Sequence, residues 1–350
     1  MFSNLPFSYM FLSVMGAGTF LSVSSVHWLM MWAGLEINLI GFLPMLVYQK
    51  SVSESQSAVK YFIVQALGSS FLIFGSLLSF SSSFGWDSYS YEGYSALGFL
   101  VLICGLFVKL GLFPFHYWLP SVMAGLPWVS CLLLATWQKF APLFLLLALI
   151  EVGEYYVVSF FICVMSVGSS LVGGVGGMNQ TQTRALLAYS SIGHLGWMVF
   201  AAMHGEWVVK VYLVVYVLIS VSLFLSLWYN DFGSMKNIHN LKDFNSMHMS
   251  VMFLLLSLGG LPPLLGFVSK WLVIMAGANS AWVLGIFGLV LGSVMSLFYY
   301  LSLFFSMFLS GLKKSGLMVF SNINSLVSLI NVLNLVGGLF IILVSSMSSL

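Results

Sequence analysis

Five charged side chains sit where an apolar chain should have none. Glu36 lies in WAGLEINLIGFLPML, Lys60 opens KYFIVQALGSS, Lys109 interrupts GFLVLICGLFVKLGLFPFHYW, Lys139 falls in TWQKFAPLFLLL and Lys270 in GFVSKWLVIM. A charge at the centre of a membrane helix costs roughly 2.5–3.5 kcal/mol on insertion scales, so such groups usually line ion paths or pair in a polar interior. Left facing lipid, the five would together cost on the order of 10 kcal/mol, so they must face one another. One acid against four lysines means that not all can be comfortably charged, and a lysine able to lose its proton is a proton carrier. His116 and His194, the latter in AYSSIGHLGW, add groups that titrate near neutral pH. The chemistry open to this set is proton transfer. Plainer readings stand beside it: Lys109 near a helix end, or Lys60 at the start of its span, can snorkel to the interface, and either histidine can be a satisfied core residue. Glu36 carries the only span carboxylate and is the obvious counter-ion for Lys109.

The elements that must position these residues follow from composition. With 60% hydrophobic and 6% charged residues in 350, and a mean hydropathy of +1.05, the chain cannot form a soluble globule, because ordinary domains are about a quarter charged. It reads as an all-α polytopic membrane protein, one integral membrane domain over 1–350. A net charge of +2 argues against a nucleic-acid partner, since phosphate binding needs a concentrated basic patch. Cys104, Cys131 and Cys163 all lie in apolar runs, with no CxxC and no histidine at ligand spacing, so they read as small core residues and no metal site is expected. With no thiolate cluster and no glycine fingerprint, no cofactor is expected in this chain. GGVGGMN at 173–179 is not a dinucleotide fingerprint and reads as close helix packing. The N-terminus lacks a basic leader and runs at once into an apolar stretch, so the first helix is expected to stay.

Spans of about 20 apolar residues can be counted eleven times: 5–24, 26–48, 57–82, 95–124, 128–149, 156–176, 180–204, 207–230, 246–278, 281–309 and 323–346. Two are long and interrupted, one by Pro114 and Pro120, the other in GGLPPLLG at 259–266. Proline removes a backbone donor and frees the carbonyl four residues back, so Pro262 and Pro263 should release the carbonyls of Leu258 and Gly259. Broken helices are tolerated at membrane depth only where protein or a water-filled cavity satisfies the freed groups. Paired discontinuous helices point to the ion site of transporters built from repeated halves. Both breaks fall beside a lysine.

Loop charges set the orientation. On one side lie Lys50, Arg184, Lys236, Lys242, Lys313 and Lys314; on the other, Lys210 is the lone basic residue among Asp87, Glu92, Glu151, Glu154 and Glu206. Basic residues partition to the inner side, which places the N-terminus there and the C-terminus opposite.

The runs WAGLEINLIGFLPML (32–46), KYFIVQALGSS (60–70), KLGLFPFHYWLP (109–120), TWQKFAPL (136–143), GGMNQTQTRALLAYSSIGHLGWM (176–198) and SLGGLPPLLGFVSKW (257–271) resemble the chain 2 family of mitochondrial NADH:ubiquinone oxidoreductase, respiratory complex I. The resemblance runs in order over almost the whole chain, with residues after 275 matching in hydropathy alone. It implies an antiporter-like fold of two inverted five-helix repeats with two discontinuous helices, shortened at the N-terminus in animals to about 11 transmembrane helices. It also implies a proton-translocating role in the mitochondrial inner membrane, with the N-terminus in the matrix and the C-terminus in the intermembrane space. By this resemblance Glu36 and Lys109 form a pair in the first half, Lys60 is an accessory lysine between them, Lys139 is the central relay and Lys270 the exit lysine. His116 and His194 match histidines frequent in the family, with less certain roles. The implied partners are the other membrane-arm subunits, lipid, protons and internal water, with the redox reactions in other subunits.

Two further classes fit the residues less closely: a stand-alone sodium/proton antiporter, and a membrane scaffold needing no titrating axis. The orientation is tested by protease protection in mitoplasts. The 231–245 loop should resist cleavage from the outer face while 83–94 is open to it, and outer-face cleavage of 231–245 would contradict the topology.

Overall fold

The computed structural model describes residues 7–47, 51–80, 96–152, 156–229, 246–314, 332 and 334–338. Among these, regular structure is entirely helical: α1 (Ser8–Ser24), α2 (Trp28–Leu46), α3 (Val52–Phe80), α4 (Ala96–Leu110), α5 (Trp118–Gly125), α6 (Trp128–Ala135), α7 (Trp137–Val152), α8 (Tyr156–Met178), α9 (Thr183–Ala202), α10 (Glu206–Tyr229), α11 (Ser246–Gly259), α12 (Leu265–Gly277) and α13 (Val283–Lys314). Seven helical segments in the described residues are long and apolar enough to cross a membrane alone, and four shorter apolar helices accompany them. Ten of the expected spans coincide with these helices. The eleventh, 323–346, lies largely outside the described residues, as do the loops 83–94 and 231–245 on which the orientation rests.

The chain divides into two compact units, Met1–Met165 and Ser166–Leu350. In the first, α1 and α2 form a tight antiparallel pair, as do α3 and α4, while α7 packs on α1, α2 and α4. Small residues allow the α1–α2 approach: a Cβ on Gly34 would stand 2.6 Å from the Ser22 amide nitrogen and 2.8 Å from the Gly18 carbonyl oxygen. Such backbone-to-backbone packing is a main source of helix association where lipid is as apolar as the side chains. In the second unit α9 is the central element, buried along almost its whole length, with α10, α12 and α13 packed around it.

Both broken helices end in the same way. At the end of α4 Gly111 adopts φ +77°, and at the end of α11 Gly260 adopts φ +80°, a left-handed conformation that glycine enters without a Cβ clash. The next residue reaches back five positions, Leu112 N–H to Phe107 O at 3.0 Å and Leu261 N–H to Leu256 O at 3.4 Å. This helix-terminating cap is commonly followed by proline, which cannot continue the helix. The sequences are GLFP (111–114) and GLPP (260–263).

A third discontinuity was not expected. The span 128–149 is broken at Thr136, whose backbone (φ −114°, ψ −72°) departs from helical values and whose hydroxyl donates to the Leu132 carbonyl at 2.7 Å. Pro142, inside α7, removes the amide that would have reached the Gln138 carbonyl. The two defects bracket Lys139. The sequence signal was therefore present, but a single proline six residues from a threonine is weaker than the paired prolines of 259–266.

Gly34→Val tests the close packing. It should lower the stability of the detergent-purified protein by about 1–3 kcal/mol, the usual penalty for overpacking, and an unchanged thermal midpoint would show that α1 and α2 do not meet this closely.

Candidate functional site

In the first unit the break between α4 and α5 presents Lys109 on the last turn of α4. Its ammonium donates to Glu36 Oε1 at 3.2 Å; the lysine side chain is 3% exposed and the glutamate 24%. Three of the carbonyls at the end of α4 have donors in place. The Trp118 indole donates to Val108 O at 3.2 Å, the Gln65 amide donates to Lys109 O at 3.3 Å, and Gly111 and Leu112 close on Phe107 O. Because buried backbone acceptors without donors are costly, these contacts fix the lysine's helix end. The lysine is thereby placed against α2 rather than free to follow the interface.

Beyond the ion pair lies a second polar bridge. Asn38 and Gln138 exchange both amide hydrogen bonds, Asn38 Nδ2 to Gln138 Oε1 at 2.9 Å and Gln138 Nε2 to Asn38 Oδ1 at 3.1 Å. The bridge ties the helix of Glu36 to the helix of Lys139. A cavity with about 20 Å³ open to water centres is walled by Asn38, Tyr61, Gln65, Lys109, Gln138 and Lys139 together with apolar residues. One water needs roughly 10–15 Å³ by the same measure. Lys109 and Lys139, both buried, therefore open on the same hydratable space, with amides and a phenol as the intervening wall.

In the second unit Lys270 sits on α12 and turns back onto the break that precedes it. Its ammonium donates to Gly259 O at 2.9 Å and to Leu258 O at 3.4 Å, the two carbonyls that Pro262 and Pro263 release. The freed backbone acceptors and the buried cation thus satisfy each other. Gly260 makes this possible, since a Cβ there would stand 3.0 Å from Lys270 Cδ and Nζ. A smaller cavity, with about 10 Å³ open to water centres, is walled by His194, Lys270, Tyr300 and the serines Ser170, Ser190, Ser293 and Ser296 among others. His194 Nδ1 lies 2.9 Å from the Tyr212 hydroxyl and its ring is 5.3 Å from that of Tyr216.

The sequence-derived residues therefore fall into groups. Glu36, Lys109 and Lys139 converge in the first unit, and Lys270 and His194 share a cavity in the second. Lys60 falls on the exposed face of α3 and is not on the wall of the Lys109–Lys139 cavity. His116 is buried within the first break, its Nδ1 3.1 Å from Pro114 O and its ring 4.1 Å from Tyr117. It braces that loop and is likewise absent from the cavity wall. Sequence reasoning passed over Asn38, Gln65, Gln138, Tyr212 and Tyr300 because it followed charge. Uncharged polar residues inside apolar spans carry the same message, since each needs a partner away from water.

The amide bridge has a measurable signature. Gln138→Leu alone strands the Asn38 amide, which should cost about 1–3 kcal/mol of stability. The double variant Asn38→Leu, Gln138→Leu removes both polar groups and should be less destabilised than the sum of the two single changes. Strict additivity in thermal unfolding of the purified protein would mean that the two amides do not interact.

Residues 25–298 match the family described as NADH:quinone oxidoreductase/Mrp antiporter, transmembrane. The chain is 40% identical to the NADH-ubiquinone oxidoreductase chain 2 of Lumbricus terrestris over 297 residues, covering 84% of this chain and 85% of the relative. It is 39% identical to the protein of that name from Anopheles gambiae over 341 residues, covering 95% and 96%. Among solved structures it is similar to a chain of respiratory complex I from Thermus thermophilus with bound aureothin, at a TM-score of 0.81 and 27% identity, over 95% of this chain and 78% of that one. The chain belongs to the NADH:quinone oxidoreductase/Mrp antiporter transmembrane family, on the branch of the NADH-ubiquinone oxidoreductase chain 2 proteins.

Proposed function

We propose that this chain is a proton-translocating membrane-arm subunit of respiratory complex I in the mitochondrial inner membrane, coupling NADH:ubiquinone electron transfer to proton movement through its buried Glu/Lys set. The observation that carries the reading is the ion pair of Lys109 and Glu36 at 3.2 Å opening on a cavity shared with Lys139. A structural pair alone has no need of a hydratable space with a second buried lysine on its wall.

The mechanism follows from what pairing does to a buried ammonium. With Glu36 beside it, Lys109 is held protonated, because removing one partner of a buried pair leaves an uncompensated charge. Drawing Glu36 away removes that compensation, and the proton can then pass through cavity water to neutral Lys139. The N–H bond of Lys109 breaks, one forms at Lys139, and the water is regenerated. Lys270, whose ammonium rests on two backbone carbonyls, is the proposed exit group. Electron transfer takes place in other subunits of the complex.

Lys109→Met should abolish proton translocation and most NADH:ubiquinone turnover by the assembled complex, because tight coupling stalls electron transfer when a pump step is blocked. Glu36→Gln should impair turnover more than Lys60→Met, since Lys60 lies on an exposed face. The measurement is turnover together with the proton-to-electron ratio, with assembly checked independently. Normal values of both in Lys109→Met would remove this lysine from the mechanism.

A further inference from the structure

The Lys270 cavity holds two polar groups whose hydrogen bonding is incomplete. An ammonium has three N–H donors, and two of those on Lys270 are committed to Leu258 O and Gly259 O. Facing the same space, Tyr300 is 1% exposed, yet its hydroxyl makes no hydrogen bond of ordinary geometry. Ser190 and Tyr299 stand beside it; the Ser190 hydroxyl donates its proton to Leu187 O at 2.7 Å, so it can accept from the phenol but not donate to it, and the Tyr299 hydroxyl is likewise without a partner of ordinary geometry. Leaving a buried hydroxyl unsatisfied is costly, and an apolar neighbour would have sufficed had packing been the only requirement. The cavity's roughly 10 Å³ is about the space that one water occupies, and a buried water typically makes about three hydrogen bonds.

We propose that this cavity binds one ordered water bridging the third N–H of Lys270 to the Tyr300 hydroxyl, and that Tyr300 is a positioning residue for proton transfer from Lys270. The inference rests on the proton-translocating reading and adds to it the acceptor at the last lysine. When Lys270 gives up its proton, the Nζ–H bond breaks toward the water. The water takes that proton and passes one of its own to the His194 imidazole, the other titratable base on the cavity wall. Lysine is left neutral, histidine is left protonated and the water is unchanged. The titratable groups facing His194 are Tyr212 and Tyr216 from α10, with Lys270 from α12 and Tyr300 from α13 on the shared cavity wall. Through the contact between Tyr212 and His194 Nδ1, the protonated ring can donate to the phenol oxygen. The Tyr300 ring packs beside Gly259, and its hydroxyl holds the water in line.

The test uses the assembled complex and two readouts. A map of the wild-type complex fine enough to place waters should show one water within hydrogen-bond distance of both Lys270 Nζ and the Tyr300 hydroxyl. Tyr300→Phe should slow coupled turnover about five-fold, the size expected for losing one hydrogen bond to the transferring water, and should lower the proton-to-electron ratio. Lys270→Met is the control. If it blocks coupled turnover while Tyr300→Phe is normal, the bridging role is overturned and the wider reading stands; if Lys270→Met itself pumps normally, the relay reading falls and this inference with it. A dry cavity in the wild-type map overturns the proposal whatever the variants do.

Discussion

A cation kept out of water must find its partners inside the protein, and that constraint organises both units of this chain. Lys109 finds a carboxylate and Lys270 finds the backbone. The second solution is the less usual. Prolines 262 and 263 take away two amide donors, the carbonyls of Leu258 and Gly259 are left open, and the lysine eleven and twelve residues on closes on them. Neither the break nor the cation is tolerable alone in an apolar surrounding; together they are. The same argument explains why a left-handed glycine ends each helix before its break. It stops the ladder at a defined carbonyl, so that the open acceptors point where a donor waits.

The two solutions have different consequences. A carboxylate partner belongs to a separate helix, and its contact with Lys109 can be made and unmade by moving α2 against α4. Backbone carbonyls belong to the lysine's own connection, so Lys270 has an environment that shifts only if the break itself reshapes. On this view the first unit carries the group whose pairing can change, and the second carries a group held in a fixed polar cup. The amide bridge between Asn38 and Gln138 links any displacement of Glu36's helix to the helix of Lys139, which is where a transferred proton would arrive.

Much of this was legible in the sequence because insertion into lipid is unforgiving. Charge within apolar spans singled out Glu36, Lys109, Lys139 and Lys270, and proline chemistry located both breaks and named the carbonyls of Leu258 and Gly259. Less legible was anything that depends on which face of a helix a residue occupies. Lys60 and Tyr61 are neighbours in sequence, yet the tyrosine is buried and the lysine is on the exposed face. A span that is hydrophobic all round carries too weak a periodicity to tell those faces apart. His116 follows Lys109 closely in sequence, but that the break turns it onto Pro114 and Tyr117 could not be read from spacing. The distortion at Thr136 and the amide bridge were missed for a related reason: each depends on a pair of modest signals that acquire meaning only when helices distant in sequence are brought together.

The proposed relay requires that Lys109 and Lys139 communicate through water in the cavity between them. A map of the assembled complex with ordered solvent resolved is its most direct test. A working relay should show a hydrogen-bonded chain of one or two waters from Lys109 Nζ past the Asn38–Gln138 amides to Lys139 Nζ. A dry cavity in every resolved state, or side chains of Tyr61 and Gln65 filling it completely, would contradict it.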